Sequence, residues 1–84
     1  MKYNLVYTHR AIKDIDKLDC SIKDRIGKTL IRFAENPLHY AEKLTNYEFG
    51  SHRFRAGDYR IIFDLVEKDI VILRIAHRRE IYRR

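Results

Sequence analysis

The feature that most constrains the fold of this chain is a change of hydrophobic period near residue 51. Up to residue 34, apolar residues recur every three to four positions, as on one face of an α-helix. From residue 51 they alternate with polar residues, as in β-strands with one buried face. A chain of 84 residues with both patterns has to bury helical stripes against a sheet. The sequence therefore predicts a single α+β domain over residues 1–84.

Two amphipathic helices are predicted to follow a short N-terminal strand. The strand covers residues 3–7, Thr8 caps the first helix, and this helix ends near residues 19–20. Ser21 is the expected N-cap of the second helix, which stops at Asn36-Pro37. The apolar stripes consist of Ala11, Ile12, Ile15 and Leu18 on the first helix and Ile22, Ile26, Leu30, Phe33 and Ala34 on the second. Joined by a short turn, the two form an antiparallel helical hairpin.

The second half of the chain predicts three antiparallel strands. They cover residues 51–56, 59–66 and 70–77. Gly57-Asp58 suits a type II′ hairpin turn, and residues 67–69 are expected to form a three-residue loop. Residues 38–50 are irregular but contain enough large apolar side chains to pack on the domain. The predicted order is β-α-α-β-β-β, with the helical hairpin packed on one face of a small, mostly antiparallel twisted sheet.

The predicted hairpin collects arginines on the face that points away from the helices. A two-residue loop pairs Arg55 with Arg60 and leaves Arg53 on the same face. With a three-residue loop at 67–69, Arg74 joins them, whereas a two-residue loop would push Arg74 into the core. The opposite face, toward the helices, then carries Phe54, Ala56, Tyr59, Ile61, Phe63, Leu65, Val71, Leu73 and Ile75.

The charge balance points to an anionic partner. The net charge is +6 and the isoelectric point is about 9.7, which suits nucleic acid, an acidic protein or an anionic membrane surface. After residue 50, eight of the nine basic residues are arginine, whose planar guanidinium binds phosphate oxygens in two-pronged fashion. The facing Arg55 and Arg60 repel each other unless an anion lies between them. That anion is either a phosphate or a carboxylate of the protein, with Asp64 and Glu48 as candidates.

The sequence lacks the features expected of several functional classes. Cys20 is the single cysteine, and no apolar run reaches the length of a membrane span. The N-terminus lacks a signal-peptide core, so we expect a cytoplasmic protein without membrane association. The histidines have no metal-ligand spacing, and no glycine-rich phosphate loop is visible, so no metal or cofactor is expected. His77 and Tyr82 near the arginines are either proton donors or base-stacking groups, or part of a cationic tail over the sheet edge.

Residues 54–63, FRAGDYRIIF, and residues 75–82, IAHRREIY, resemble the RelE/ParE toxin superfamily. The superfamily pattern is R-x-R-x-G-x-Y-R with an apolar run, followed by H-R-x-x-x-Y. The resemblance implies that Arg60 and Arg78 stabilise the transition state of RNA cleavage. It implies catalytic roles for Tyr82 and His77 as well. The implied substrate-binding residues are Arg53, Arg55, Arg74 and Arg79.

The resemblance implies a toxin of a type II toxin–antitoxin system. In the RelE-type branch this is a metal-independent endoribonuclease that enters the ribosome and cleaves messenger RNA by attack of the 2′-hydroxyl on the adjacent phosphate. The implied partners are the ribosome with its messenger, an antitoxin with acidic helical segments, and operator DNA contacted through the antitoxin. Two alternatives stay open: a ParE-type toxin that inhibits DNA gyrase without catalysis, and a degenerate member that only binds its antitoxin.

Overall fold

The computed structural model of the chain describes residues 3–44 and 51–81. The elements, in chain order, are β1 (Asn4–Tyr7), α1 (His9–Asp16), α2 (Cys20–Phe33), α3 (Pro37–Tyr40), β2 (Glu42–Lys43), β3 (His52–Ala56), β4 (Tyr59–Val66), β5 (Asp69–His77) and α4 (Arg78–Ile81). The strands form one sheet in the order β1-β5-β4-β3-β2. β1 runs parallel to β5, and the other neighbouring strands are antiparallel. The predicted α+β fold with a mostly antiparallel sheet is confirmed.

The two long helices lie where the sequence predicts them, although some of their first and last residues differ from the prediction. Thr8 caps α1 as expected, because its hydroxyl accepts a hydrogen bond from the Ala11 amide. The prediction of Ser21 as the N-cap of α2 is wrong: Asp19 occupies that position and Ser21 lies inside the first turn. α2 ends at Phe33, three residues before Asn36. No helix in the described ranges is long and apolar enough to cross a membrane.

The core lies between the helices and one face of the sheet, as the alternation in the second half predicts. β3 and β4 contribute Phe54, Ile61 and Phe63, all fully buried, and the Phe54 and Phe63 rings stack 4.2 Å apart. The remaining buried core residues are Ala11, Ile26, Leu30, Phe33, Ala34, Ile70, Ile72 and Ile75. This packing fixes which face of β3 and β4 is left for the arginines.

The segment after α2 is more regular than the sequence predicts. Pro37 begins the short helix α3, and Glu42–Lys43 pairs with β3 as strand β2. Tyr40 stacks on Phe33 at 4.4 Å, so part of the segment does pack on the domain. Leu38 is 60% exposed and does not join that packing. Tyr47, Phe49 and Gly50 lie outside the described residues.

The turn between β4 and β5 corrects the predicted register. Val66 pairs with Asp69, so the loop has two residues, Glu67 and Lys68, instead of three. A β-bulge then accommodates Leu73 as an extra residue, because Phe63 pairs with Ile72 and Ile62 pairs with Arg74. The bulge shifts the inward-facing positions by one residue. The core receives Ile70, Ile72 and Ile75, and the predicted inward positions of Val71 and Leu73 are wrong.

Asp14 attaches α1 to the edge of β5 beyond the end of β1. This carboxylate is buried, and its Oδ2 accepts hydrogen bonds from the Ile75 amide at 3.0 Å and from Arg74 Nε at 2.9 Å. β1 pairs with β5 only as far as Ile72. At Ile75 this edge of β5 therefore has no neighbouring strand within the described sheet. Asp14 therefore supplies the acceptor that a neighbouring strand would otherwise supply.

We expect the substitution Asp14→Ala to lower the free energy of unfolding by about 1–3 kcal/mol, because a buried amide and a guanidinium lose their acceptor together. Urea denaturation of the variant and the wild type measures this difference. Asp16→Ala on the exposed side of the same helix is the control and should change stability by less than about 0.5 kcal/mol. Equal stability of both variants would show that Asp14 does not hold α1 to the sheet.

Candidate anion-binding site

Arg60 lies at the start of β4, next to the hairpin turn, and is buried instead of open to solvent. Its side chain is 9% exposed, and Nη1 donates to the carbonyl oxygens of Gly57 at 3.0 Å and Tyr59 at 3.2 Å. Gly57 has a φ of +62°, as the predicted type II′ turn requires. Within the described part of the chain, Arg60 Nε is buried and finds no hydrogen-bond partner. The predicted open location of Arg60 is therefore wrong, and one buried donor is left without an acceptor.

Arg53 and Arg55 lie beside Arg60 and share one carboxylate, that of Glu42. Arg55 pairs directly with Arg60 across the hairpin, as predicted. Glu42 Oε1 lies 2.9 Å from both Arg53 Nη2 and Arg55 Nε. Glu42 reaches them because β2 pairs with β3, with Glu42 directly opposite Arg53. The like charges of the hairpin are thus partly neutralised by a carboxylate of the protein.

Arg78 completes the group from the beginning of α4. Its amide donates to the Asp58 carbonyl at 2.8 Å, which fixes the start of α4 against the turn that also accepts the Arg60 hydrogen bond. The Arg78 side chain is exposed. We call Arg53, Arg55, Arg60 and Arg78 the arginine cluster.

The pKa values reflect this crowding of like charges. Burial lowers the pKa of Arg60, and the charges of Arg55, Arg53 and Arg78 lower it further, with Glu42 as a smaller opposing influence. Burial by itself would raise the pKa of Glu42, but the hydrogen bonds and charges of Arg53 and Arg55 together bring it below its usual range. Glu42 is therefore ionised at neutral pH, and the cluster carries an excess of positive charge.

Three of the predicted site residues lie elsewhere. Arg74 is predicted to join the other arginines, but its Nε pairs with Asp14 of α1. His77 pairs with Tyr59 across β4 and β5, and the two rings meet edge to face at 5.5 Å. Successive residues of a strand point to opposite faces, so His77 lies on the side opposite Arg60. Arg79 is exposed, and its amide donates to His77 Nδ1. Tyr82 lies outside the described residues.

The carboxylate at the site was not among the candidates from the sequence. Asp64 accepts a hydrogen bond from the Ser51 amide at 2.8 Å and so holds the start of β3. Glu48 lies outside the described residues. Glu42 lies between Ala41 and Lys43 in the segment predicted to be irregular, and no signal in the sequence places it beside the arginines.

The arrangement suits the recognition of a phosphate group. Several guanidinium groups lie near a buried donor, Arg60 Nε, that has no acceptor in the described part of the chain, and an oxyanion would supply one. No group of three or more His, Cys, Asp or Glu side chains that could hold a metal ion occurs in residues 3–44 and 51–81. Arginine side chains supply positive charge to this region, which favours an anion or a negatively charged transition state.

Known proteins resemble this chain in sequence and in fold. A family model described as the ParE toxin of the type II toxin–antitoxin system parDE matches residues 5–82. Toxin RelG of Mycobacterium tuberculosis is 32% identical over 91 residues and covers the whole of both chains. The mRNA interferase toxin RelE of Escherichia coli strain K12 is 26% identical over 87 residues, covering 98% of this chain and 92% of that protein.

Solved structures agree with these matches. The RelBE2 toxin–antitoxin complex of Mycobacterium tuberculosis contains a chain that superposes with a TM-score of 0.84 at 25% identity, covering 92% of this chain and 99% of that one. A RelE–RelB complex from Pyrococcus horikoshii gives a TM-score of 0.76 at 23% identity, covering 95% and 99%, and shows the shared fold.

The family-model match and the shared fold define a class, the toxins of type II toxin–antitoxin systems. Within that class the chain belongs to the ParE toxin family of the RelE/ParE superfamily, and two curated relatives in that superfamily carry the name mRNA interferase.

Proposed function

We propose that this protein is a ribosome-dependent endoribonuclease that cleaves messenger RNA. The observation that carries the proposal is the buried Arg60, whose Nε has no acceptor among the described residues while Arg53, Arg55 and Arg78 place further positive charge around it. A buried guanidinium with one unused donor is unfavourable, and an active site that binds an anion explains its presence. The names of the curated relatives, mRNA interferase toxins, support RNA as the source of that anion.

The proposed reaction is transfer of the phosphate to the neighbouring ribose oxygen. The 2′-oxygen attacks the adjacent phosphorus, the bond from phosphorus to the 5′-oxygen breaks, and a 2′,3′-cyclic phosphate forms. One group takes the proton of the 2′-hydroxyl and another protonates the departing 5′-oxygen. Arg60 and Arg78 stabilise the charge that develops on the phosphorane, and Arg53 and Arg55 hold the RNA backbone. Because guanidinium groups supply this charge, the proposed mechanism includes no metal ion.

Glu42 is the group that we propose as the base. It is an ionised carboxylate, 45% exposed, in contact with two members of the arginine cluster. A phosphate that binds Arg53 and Arg55 would compete with Glu42 for them and bring the ribose close to this carboxylate. Of the acid–base candidates from the sequence, His77 lies on the face opposite Arg60, so Tyr82 stays the prediction for the protonation of the 5′-oxygen.

We also propose a cognate antitoxin that contacts the arginine cluster through acidic side chains and connects the complex to operator DNA. Structural neighbours of this chain are toxin–antitoxin complexes, which supports such a partner. The net charge of +6 favours an acidic one. Ribosomes and messenger lie in the cytoplasm, which is the proposed location.

Cleavage can be tested by expressing the protein in bacterial cells and mapping new RNA ends on ribosome-bound messengers. We expect cuts inside codons at the ribosomal A site, visible as toeprint stops, within minutes of induction. An Arg60→Met variant, expressed at the same level, is the matched control and should leave messengers intact. Purified ribosomes programmed with a short messenger then show whether cleavage requires only these components.

Intact messengers together with accumulated gyrase cleavage complexes would overturn this proposal in favour of the gyrase-inhibiting alternative. The match to a family model named for ParE makes that outcome a specific competitor. If neither messenger cleavage nor gyrase complexes appear, although the antitoxin binds, the protein is a degenerate member of the family.

A further inference from the structure

A second cationic surface lies at the same end of the sheet, along the edge of β5 that faces α1. It is a cleft between α1 and the last residues of β5. Its charged and hydrogen-bonding side chains are Arg10, Asp14, Lys17, Tyr59, Arg74 and His77. This cleft contains His77 and Arg74, two of the three predicted site residues that lie outside the arginine cluster. We call it the α1 cleft.

The α1 cleft carries more positive than negative charge. Arg10, Lys17 and Arg74 face a single carboxylate, that of Asp14, so the lining has a formal charge of +2 without His77. Asp14 is occupied by Arg74 Nε and the Ile75 amide, both through Oδ2. Arg10 Nε lies 3.9 Å from the other carboxylate oxygen, beyond hydrogen-bond distance, and the Arg10 side chain is 63% exposed. The excess charge is therefore presented to solvent.

His77 adds a hydrogen-bond donor of defined orientation. Its Nδ1 accepts a hydrogen bond from the Arg79 amide at 3.2 Å, so the neutral ring carries its proton on Nε2. The edge-to-face contact with Tyr59 holds the ring in place. A lining of guanidinium, ammonium and imidazole donors around one neutralised carboxylate is the chemistry of an oxyanion site.

We propose that the α1 cleft binds a backbone phosphate of ribosomal RNA, separate from the phosphate that is cleaved. The proposal rests on the proposed function, because it assigns a docking contact to the same ribosome-bound protein. The α1 cleft lies close to the arginine cluster, which favours RNA as the ligand of both. The pair Tyr59–His77 is next to the pair Arg60–Ala76 on the same two strands, so both cationic surfaces flank one end of the sheet. A polyanion of many phosphates can occupy both surfaces, and each contact adds to the salt dependence of binding.

Charge reversal on α1 tests the proposal. Lys17→Glu alters the cleft, and Lys13→Glu alters an exposed residue of the same helix outside the cleft lining, with the same change in net charge. Affinity for purified ribosomes is measured for both at several salt concentrations. We expect Lys17→Glu to weaken binding by about tenfold and to reduce the slope of log affinity against log salt by roughly 0.7–0.9. Lys13→Glu should change affinity by about twofold or less.

A second measurement does not depend on the ribosome. Inorganic phosphate is titrated into the full-length ¹⁵N-labelled protein, and amide shifts are recorded by nuclear magnetic resonance. We expect saturable shifts at the amides of residues 10, 17 and 77, and their loss in Lys17→Glu but not in Lys13→Glu. The Arg60→Met variant should keep these shifts, because Arg60 does not line the cleft.

The outcomes separate this inference from the proposed function. Equal ribosome affinity of the two lysine variants, or no saturable shifts in the cleft, would overturn the α1 cleft as an RNA contact while messenger cleavage by the wild type stands. If Lys17→Glu weakens binding of the antitoxin and not of the ribosome, the proposed RNA contact is overturned in favour of an acidic protein as the ligand of the α1 cleft. Failure of the wild type to cleave messenger, with the shifts and the ribosome binding intact, would overturn the proposed function and leave the cleft assignment in place.

Discussion

Replacement of Arg60 by methionine should lower the rate of messenger cleavage by about 10²–10³-fold and leave the protein at least as stable as the wild type. Both effects come from the same feature. Arg60 is buried beside other guanidinium groups, and its Nε has no acceptor in the described structure. Methionine fills a similar volume without a charge to desolvate, so the folded state loses an unfavourable interaction. The hydrogen bonds to the Gly57 and Tyr59 carbonyls are lost as well, which limits the gain.

Single-turnover cleavage on programmed ribosomes measures the rate, and urea denaturation measures the free energy of unfolding. Arg60→Lys is the informative companion, because it keeps a positive charge and loses the planar fork. We expect it to recover little of the activity. Normal cleavage by Arg60→Met would remove the phosphate-binding role of the cluster. A large loss of stability would instead show that Arg60 is kept for its hydrogen bonds to the turn.

The hairpin of β3 and β4 could be predicted from the sequence because its determinants are local. Gly57 at a position that requires positive φ fixes a two-residue turn, and the turn fixes the register. From there, alternation alone places Arg55 opposite Arg60 and Phe54 on the core face, as the structure confirms. The extent of burial of Arg60 could not follow from this logic, because alternation assigns a face and says nothing of what covers it.

The register of β5 shows where local reasoning stops. Uninterrupted alternation favours a three-residue loop between β4 and β5, since a two-residue loop would bury Arg74. The structure has the two-residue loop and avoids the burial through the bulge at Leu73. Pattern matching assumes an uninterrupted strand, and no residue type at this bulge distinguishes it from regular alternation. The position of Asp14, which receives Arg74, depends on the packing of α1 and lies sixty residues away.

Glu42 was missed for a related reason. Its place in the site depends on the pairing of a two-residue strand with β3, and a strand that short has no recognisable period. His77 was assigned to the site because it follows the arginines in sequence, although its position on β5 turns it to the other face. Successive residues of a strand are adjacent along the chain, but their side chains lie on opposite faces of the sheet.

The substitution Glu42→Gln should lower the rate of cleavage at saturating ribosome concentration by about 10²–10⁴-fold, as expected for loss of a general base. Binding to the ribosome should be unchanged or tighter, because Gln removes a negative charge that competes with phosphate for Arg53 and Arg55. The opposite changes in rate and affinity distinguish a base from a residue that only positions the arginines. Rate at saturation and the dissociation constant are measured separately for variant and wild type.

The pH dependence of the wild-type rate tests Glu42 as the base. The pKa of Glu42 lies below its usual range, because the hydrogen bonds and charges of Arg53 and Arg55 outweigh its partial burial. A base of this kind is already deprotonated well below neutral pH, so the rate should stay level from pH 8 down to about 5 and fall only in more acidic solution. A rate that falls steadily from pH 8 to about pH 5, with Glu42→Gln retaining full activity, would remove the role of base from Glu42.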